Sequence, residues 1–461
     1  MIPPSLLADL EAILGAEHVR RDEAARLAYG TDGIKRGQPA DLAVLPGSTA
    51  EIAAVARACH LARVPMVPRG GGTGYTGGSV PTQGGVVISL ERLNRILEID
   101  EDNLLAVVQP NVVTGDLQDA VEARGLFYPP DPASLRECVI GGNVAECSGG
   151  PRAFKYGTTK RYILGLEAVL PDGTIVRTGS KCVKNVVGYD LTQLLVGSEG
   201  TLAIVTEVIV RLIPKPPAQA TLRATFDSIE AAAAGVTALI RARVVPSALE
   251  LIDRDSLQAI DGYRGGEALA PAGTGALLLI EVDGLAEAVV EEARRVEAAC
   301  RESGATQILR AADAAEREAL WQVRRDLSPA LKTLAGMKLN NDIVVPKGRI
   351  PELFDLIAHL REDHGVLIAC FGHVGDGNIH VNVMVDPDDT AAVERAHETV
   401  RALFEGVIAL EGSISGEHGI GYTKKPYISL ELSAEEIELM RRVKAAFDPD
   451  GVLNPGKIFP D

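Results

Sequence analysis

The chain has 461 residues, which at about 150 residues per domain predicts two or three domains. It carries 46 Lys+Arg against 63 Asp+Glu, a formal charge of −17, which excludes a general binder of nucleic acid or of anionic membrane surface. Hydrophobic residues at 46% and charged residues at 24% exclude a largely disordered chain.

In chain order, residues 4–62 read as helical pieces with a strand near 43–45. Ile52, Val55, Ala56 and Cys59 fall at helical spacing. Residues 64–68 form a short apolar strand, followed by a glycine-rich loop. Residues 86–89 and 105–109 are strand-like, and Thr114-Gly115-Asp116 opens a helix to about residue 124. Residues 129–150 are rich in Pro, Gly and small side chains. A hairpin is expected around Asp172-Gly173, then a long β-rich run over 202–213. Pro214-Lys215-Pro216-Pro217 is the clearest domain boundary. Beyond it, strands (220–226, 275–282) alternate with Ala/Glu/Arg-rich helices (229–242, 285–303, 311–330), the texture of helices stacked on an antiparallel sheet. A last helix is expected over 434–447.

The six cysteines (Cys59, Cys138, Cys147, Cys182, Cys300, Cys370) contain no C-x-x-C, so no zinc ribbon, redox pair or cluster run is visible. Their scatter fits a reducing compartment. The opening Met1-Ile2-Pro3-Pro4-Ser5 leads into a mixed acidic-apolar stretch unlike a signal peptide, and no apolar run approaches the roughly 18 residues of a membrane span. The expected location is the cytoplasm.

Arg69-Gly70-Gly71-Gly72-Thr73-Gly74-Tyr75-Thr76-Gly77-Gly78 has six glycines in ten positions. Successive glycines let backbone N–H groups turn toward one anion, which suits a pyrophosphate. The loop is neither a P-loop nor a G-x-G-x-x-G, and no helix clearly follows it. A flexible surface loop is the alternative. Two further segments weigh against that alternative. Pro129-Pro130-Asp131-Pro132-Ala133-Ser134 leads to Gly141-Gly142-Asn143 and Ser148-Gly149-Gly150, where a flat ligand could lie against backbone. Val196-Gly197-Ser198-Glu199-Gly200-Thr201-Leu202 precedes a strand.

These three segments, in this order and spacing, resemble the FAD-binding domain of the vanillyl-alcohol oxidase and p-cresol methylhydroxylase relatives. The closer resemblance is to the branch of D-lactate dehydrogenase, D-2-hydroxyglutarate dehydrogenase and the flavin subunit of glycolate oxidase, and it covers essentially the whole chain. It implies an α+β fold: an FAD-binding domain over residues 1–216, an antiparallel-sheet α+β substrate (cap) domain over 217–430, and a C-terminal segment, 431–461, returning to the first. It places Arg69, Gly70, Gly71, Gly72, Thr73, Gly74, Thr76, Gly77, Gly78 and Ser79 around the FAD pyrophosphate. Pro130, Asp131, Ser134, Gly141, Gly142, Asn143, Ser148 and Gly149 would line the ribityl and isoalloxazine. Gly157, Glu199, Gly200, Thr201 and the Ile204 backbone would lie toward the adenine, and Asn454 joins the cofactor set. Covalent members carry a flavin-linking histidine in or near these segments; this chain has none there, so its FAD is expected to be non-covalent.

Three of the eight histidines sit in two dense motifs, Phe371-Gly372-His373-Val374-Gly375-Asp376-Gly377-Asn378-Ile379-His380-Val381-Asn382 and Ser415-Gly416-Glu417-His418-Gly419. The first reads as strand, turn, strand. Alternation puts His380, Asn382 and Met384 on one face, with Ile379, Val381 and Val383 facing a core. His373, at the other end of the turn, can reach the same point. Two histidines capping a polar hairpin are the alternative. With Glu417 they make a His₂Glu set that suits a catalytic divalent ion such as zinc. The resemblance agrees. It makes His373, His380 and Glu417 the metal ligands, Asn382 a substrate contact and His418 the base that takes the hydroxyl proton. Trp321-Gln322-Val323-Arg324 matches a Trp-x-x-Arg element and makes Arg324 the fork for the substrate carboxylate; a charge on a surface helix is the alternative. Two departures from the 2-hydroxyglutarate enzymes, Asn340 in place of a substrate-gripping lysine and Ser328 in place of a threonine, favour a small hydroxy acid without a distal carboxylate.

The expected reaction is oxidation of a small D-2-hydroxy acid, D-lactate foremost, with hydride passing to FAD. Electrons would go to an external acceptor: electron-transfer flavoprotein, an Fe–S subunit or a quinone route. The flavin subunit of a multi-subunit glycolate oxidase is the second reading. A non-catalytic electron-shuttling flavoprotein and a zinc hydrolase are readings of other classes. Relatives suggest a homodimer.

Overall fold

The computed structural model describes residues 2–33, 37–265 and 268–461. The chain forms two compact units. One comprises 1–149, 158–215 and 417–461; the other comprises 150–157 and 216–416.

The first unit holds two sheets. The smaller has the order β1 (Val19–Arg20), β2 (Leu42–Val44), β4 (Val86–Ser89), β3 (Met66–Arg69). Its last two pairings are parallel, because the helix Thr49–Leu61 carries the chain across between β2 and β3. Ser48 caps that helix, accepting from the Glu51 N–H at 3.2 Å. Ile52, Val55, Ala56 and Cys59 point from the helix into a core with Leu42, Val44, Met66, Val86 and Ile88. The larger sheet is antiparallel, in the order β5 (Ile96–Asp100), β6 (Leu105–Val108), β10 (Ile204–Arg211), β8 (Ile163–Val169), β9 (Ile175–Gly179). The hairpin expected around Asp172-Gly173 joins β8 to β9. A two-stranded ribbon pairs β7 (Leu126–Phe127) with β11 (Ile213–Pro214). The Pro/Gly-rich stretch over 129–150 contains a helix, Ile140–Glu146, which ends where Cys147 turns left-handed at φ 57°.

The chain re-enters the first unit at Glu417, earlier than residue 431. Two hydrogen bonds set that point. The Ile420 and Gly421 N–H groups each donate to the Glu199 carboxylate at 2.7 Å.

The second unit is built on one seven-stranded antiparallel sheet. Its order is β15 (Gln307–Arg310), β12 (Ala218–Phe226), β14 (Ala276–Gly284), β13 (Ala248–Asp253), β17 (Leu367–Gly372), β18 (Asn378–Val385), β16 (Met337–Val344). Helices Arg254–Arg264 and Ala314–Leu331 cover one face, packing on Ile252, Leu277, Ala369, Phe371 and Met384. Helices Ile229–Arg241, Ala286–Glu302, Ile350–His364 and Thr390–Ala409 cover the other. Helices on both faces bury β14 and β18 on both sides. Alternation along β18 therefore separates two buried faces, one apolar and one polar, rather than a core face from a wet one. Among the described residues no helix is long and apolar enough to cross a membrane.

Candidate active site

In the first unit the glycine loop leaves the C-terminal end of β3. Gly72 and Gly77 have φ of 66° and 79°, values that disfavour any side chain. The backbone N–H groups from Gly70 to Thr76 find no acceptor among the described residues. A row of unpaired backbone donors is what an anionic pyrophosphate requires, so the loop fits that group. Arg69 does not reach over the loop. Its guanidinium turns back to the Thr31 carbonyl and to Ser79 Oγ at 3.3 Å, beneath Gly72. Ser79, Gly77 and Gly78 close the turn, with the Gly77 N–H held by Asp32 at 2.8 Å.

Several expected cofactor residues also make contacts within the protein. Asn454 donates to the carbonyls of Gly78 at 2.9 Å and Glu199 at 2.8 Å, stapling the C-terminal segment to two of the three motifs. Glu199 faces Ile420 and Gly421, as above. Burial raises its carboxyl; those two N–H groups, Lys457 and Lys424 oppose the rise. Asn143 is buried, and its amide donates to Thr114 Oγ1 at 2.6 Å. Ile204 opens β10 with its side chain in the core, and Thr201 Oγ1 donates to the Ser198 carbonyl at 2.7 Å. Gly200, at φ 64°, lies over Pro68. Pro130 is held through its carbonyl by Gln118 Nε2 at 2.8 Å, a contact no motif signalled. Asp131 and Ser134 share that loop, where the Ser134 carbonyl accepts from the Cys138 N–H at 2.8 Å. Gly141 and Gly142 lie on the helix Ile140–Glu146, with Ser148 and Gly149 just beyond it. Gly157 belongs to the second unit, apart from the rest of the set.

His418 lies against the glycine loop. Thr76 Oγ1 donates to its carbonyl at 2.9 Å, and the Tyr75 ring lies 5.4 Å from the imidazole. Glu146, at the end of its helix, keeps Oε2 buried without a partner among the described residues. Burial, with the nearby Glu199 and Asp32 carboxylates, raises its carboxyl well above the ordinary range.

In the second unit β17 and β18 bring His373 and His380 together, ring centroids 5.3 Å apart and edge to face. His373 Nδ1 meets Glu250 Oε1 at 2.6 Å. With Nδ1–H directed at a carboxylate, Nε2 presents its lone pair outward, the tautomer a metal needs. The donor set therefore fits a divalent ion. Glu250, on β13 and fully buried, also binds Arg324 Nε. Burial raises its carboxyl; the contact with His373 and the Arg324 guanidinium oppose that and lower it. Sequence reading missed Glu250, since an acid inside an apolar strand carries no motif.

Arg324 is buried at 6% exposure, which excludes a surface charge. Its guanidinium stacks 4.8 Å over the Phe371 ring. Nε is taken by Glu250, whereas the two Nη groups have no acceptor among the described residues and form a fork ready for a carboxylate. His380 Nδ1 lies 3.9 Å from Asp342, which also accepts from Asn378 at 2.6 Å and from the Gly416 N–H at 2.9 Å. Glu417 is the next residue in the chain after Gly416. Asn382, expected to touch substrate, is fully buried and accepts from Asn340 Nδ2 at 2.8 Å. Ser328 accepts from Lys338 Nζ at 2.8 Å.

Comparison with known proteins decides the family. Residues 40–179 match the model of an FAD binding domain, and residues 215–458 match that of the C-terminal domain of FAD linked oxidases. The chain is 43% identical to glycolate oxidase subunit GlcD of Bacillus subtilis over 460 residues, covering 100% of this chain and 97% of that protein. The chain belongs to the FAD-dependent D-2-hydroxy-acid dehydrogenase family. Other relatives are a probable mitochondrial D-lactate dehydrogenase of Danio rerio (33% identical, covering 98% of this chain and 91% of that one) and a D-2-hydroxyglutarate dehydrogenase of Stutzerimonas stutzeri (34% identical, covering 100% of both). In fold, this family member is similar to p-cresol methylhydroxylase, with a TM-score of 0.81 at 18% identity over 99% of this chain and 96% of that one. It is an FAD-binding oxidoreductase acting on 2-hydroxy acids.

Proposed function

We propose that this dehydrogenase oxidises a small D-2-hydroxy acid, of the size of D-lactate, to its 2-oxo acid and passes the electrons to an external acceptor protein or quinone. The observation that carries this reading is Arg324: a buried guanidinium fixed through Nε, with its Nη fork unclaimed, in the same Glu250 network as His373. Arg324 would pair with the substrate carboxylate in bidentate fashion. His373, His380 and Glu417 would hold a divalent metal, zinc being the ion the donor set suits, which lowers the hydroxyl's pKa when bound. Glu250 keeps His373 in the ligating tautomer. His418 would take the hydroxyl proton, its backbone fixed by Thr76. FAD, bound non-covalently by the glycine loop, supplies the two-electron acceptor at the flavin N5. Ser328 and Asn340 would bound the substrate's far end, where no residue equivalent to a gripping lysine stands at position 340.

The test is anaerobic flavin bleaching by D-lactate, L-lactate, glycolate and D-2-hydroxyglutarate, with and without chelator. Bleaching by D-lactate that chelator and His380→Ala both abolish is the expected result. Bleaching that survives both removes the metal from the reaction. The second reading, catalytic subunit of a multi-subunit glycolate oxidase, is favoured by the full-length similarity to the Bacillus subtilis subunit, and bleaching by glycolate alone would establish it.

A further inference from the structure

A polar strip runs along the face of the large sheet that the helix Ala314–Leu331 covers. Arg324 and Ser328 stand one turn apart on that helix. Across the β16–β18 ladder, Asp342 pairs with His380, Asn340 with Asn382 and Lys338 with Met384. Successive positions on one face of a strand are about 6–7 Å apart, so Asn340 stands one step beyond the imidazole end of the strip and Lys338 two steps.

The orientation of Asn340 follows from its neighbour. Asn382 Nδ2 is committed to the carbonyls of Ala369 at 3.1 Å and His380 at 3.0 Å. Its Oδ1 is left to face Asn340, whose Nδ2 donates to it at 2.8 Å. An amide has one nitrogen and one oxygen, so Asn340 must turn Oδ1 the other way. That oxygen is buried and finds no donor among the described residues. Beside it, Lys338 gives one N–H to Ser328 Oγ, and its remaining N–H groups have no acceptor among the described residues. This end of the strip therefore offers one unpaired acceptor and a free donor.

Resting on the 2-hydroxy-acid reading above, we propose that this end receives a hydroxyl on the carbon next to the reacting one, so that the preferred substrates are 2,3-dihydroxy acids. A hydroxyl donates and accepts, and satisfies both groups at once. The methyl of D-lactate would bury the Asn340 oxygen unpaired, and glycolate brings no group to it. A second carboxylate, which only accepts, would meet that oxygen lone pair to lone pair. The chemistry balances as before. Hydride leaves C2 for FAD, the O2 proton goes to His418, and the C3 hydroxyl passes intact into a 3-hydroxy-2-oxo acid.

The experiment compares anaerobic flavin bleaching of the FAD-loaded full chain by D-glycerate, D-lactate, glycolate and D-2-hydroxyglutarate. D-Glycerate is expected to bleach at least tenfold faster, per molar, than D-lactate. Asn340→Leu should bring that ratio to about one, the ratio and not the absolute rate being the readout, and Ser328→Ala, which leaves Asn340 in place, should lower it several-fold. Equilibrium binding of the unreactive 3-hydroxypropanoate should be about tenfold tighter than that of propanoate. If Asn340→Leu does not fold, the Ser328→Ala ratio and the binding pair decide. D-Lactate or glycolate bleaching as fast as D-glycerate, or an unchanged ratio in the variants, overturns this inference and leaves the 2-hydroxy-acid reading standing. Bleaching by none of the four overturns both.

Discussion

Thr76 Oγ1 donates to the backbone carbonyl of His418 at 2.9 Å, tying the residue proposed as base to the loop proposed to hold the cofactor's phosphates. The two lie 342 positions apart in sequence. Thr76→Val removes that bond with little change of volume. A single hydrogen bond is worth about 1 kcal/mol, so flavin bleaching by the substrate should slow roughly fivefold. FAD affinity, measured by fluorescence titration, should fall by no more. His418→Asn, which removes the base itself, should cost about 10²–10⁴-fold in bleaching with FAD content unchanged.

Glu250 joins His373 and Arg324 through separate oxygens of one buried carboxylate. Glu250→Gln leaves the Arg324 charge buried without its partner, and breaking such a pair costs about 3–5 kcal/mol. The thermal midpoint should drop by several degrees in calorimetry. Metal affinity, read by competition with a zinc indicator, should weaken about 10–100-fold, the usual effect of losing the partner that orients a ligating histidine. Unchanged zinc affinity in a folded variant would show that Glu250 serves Arg324 alone.

Gly77 cannot carry a side chain. A Cβ there would lie 2.0 Å from Tyr422 Cε1, and the backbone φ is 79°. Gly77→Ala should destabilise the first unit by about 1–3 kcal/mol and yield protein depleted in FAD, scored by the ratio of flavin to protein absorbance. Gly74, where nothing among the described residues lies within 4 Å of an added Cβ, should accept alanine with its fold intact. A loss of FAD in Gly74→Ala at unchanged melting temperature would then report contact with the cofactor itself.

Lys338 links stability to pH. Its ammonium titrates at about 8 against an ordinary 10.5, because burial disfavours the charge. Between those values the folded protein binds fewer protons than the unfolded chain, so this residue makes stability rise with pH across that window. Below about pH 8 both states are protonated and its slope vanishes. Urea unfolding at about pH 7.5 and about pH 10 should show the rise in the wild type and a smaller one in Lys338→Met. Equal slopes would remove the effect from this residue.

Most helices were legible because their apolar stripes and caps are local. The helix expected over 229–242 spans Ile229–Arg241, and the one expected over 434–447 spans Ala434–Phe447, where Ser433 and Glu436 form a capping box. The helix Ile140–Glu146 was hidden because Gly141-Gly142 argue against helix; its start is set by distant bonds, the Gly141 N–H donating to the Pro110 carbonyl at 2.7 Å. The two imidazoles were legible as a hairpin pair. Their supports were not. Glu250 and Asp342 reach His373 and His380 only through strand order in the large sheet, which local sequence does not encode. Asn382 reads as a polar residue on one face of a strand; that it is fully buried and bonded to Asn340 and to the Ala369 and His380 carbonyls depends on the strand order of the large sheet.

The smaller sheet of the first unit carries a consequence for synthesis. The Met66 N–H donates to the Val452 carbonyl at 2.8 Å, and the Asn454 N–H donates back to the Met66 carbonyl at 2.7 Å. The outer edge of β3 is thus completed by residues synthesised more than 380 positions later. At about 5–20 residues per second, roughly 20–80 s separate the synthesis of these partners. Throughout that interval the edge beside the glycine loop is an open template for foreign strands, with the whole second unit emerging in between. The nascent protein needs its edge shielded until residues 452–454 arrive, and a chain that stops short of residue 452 never closes it.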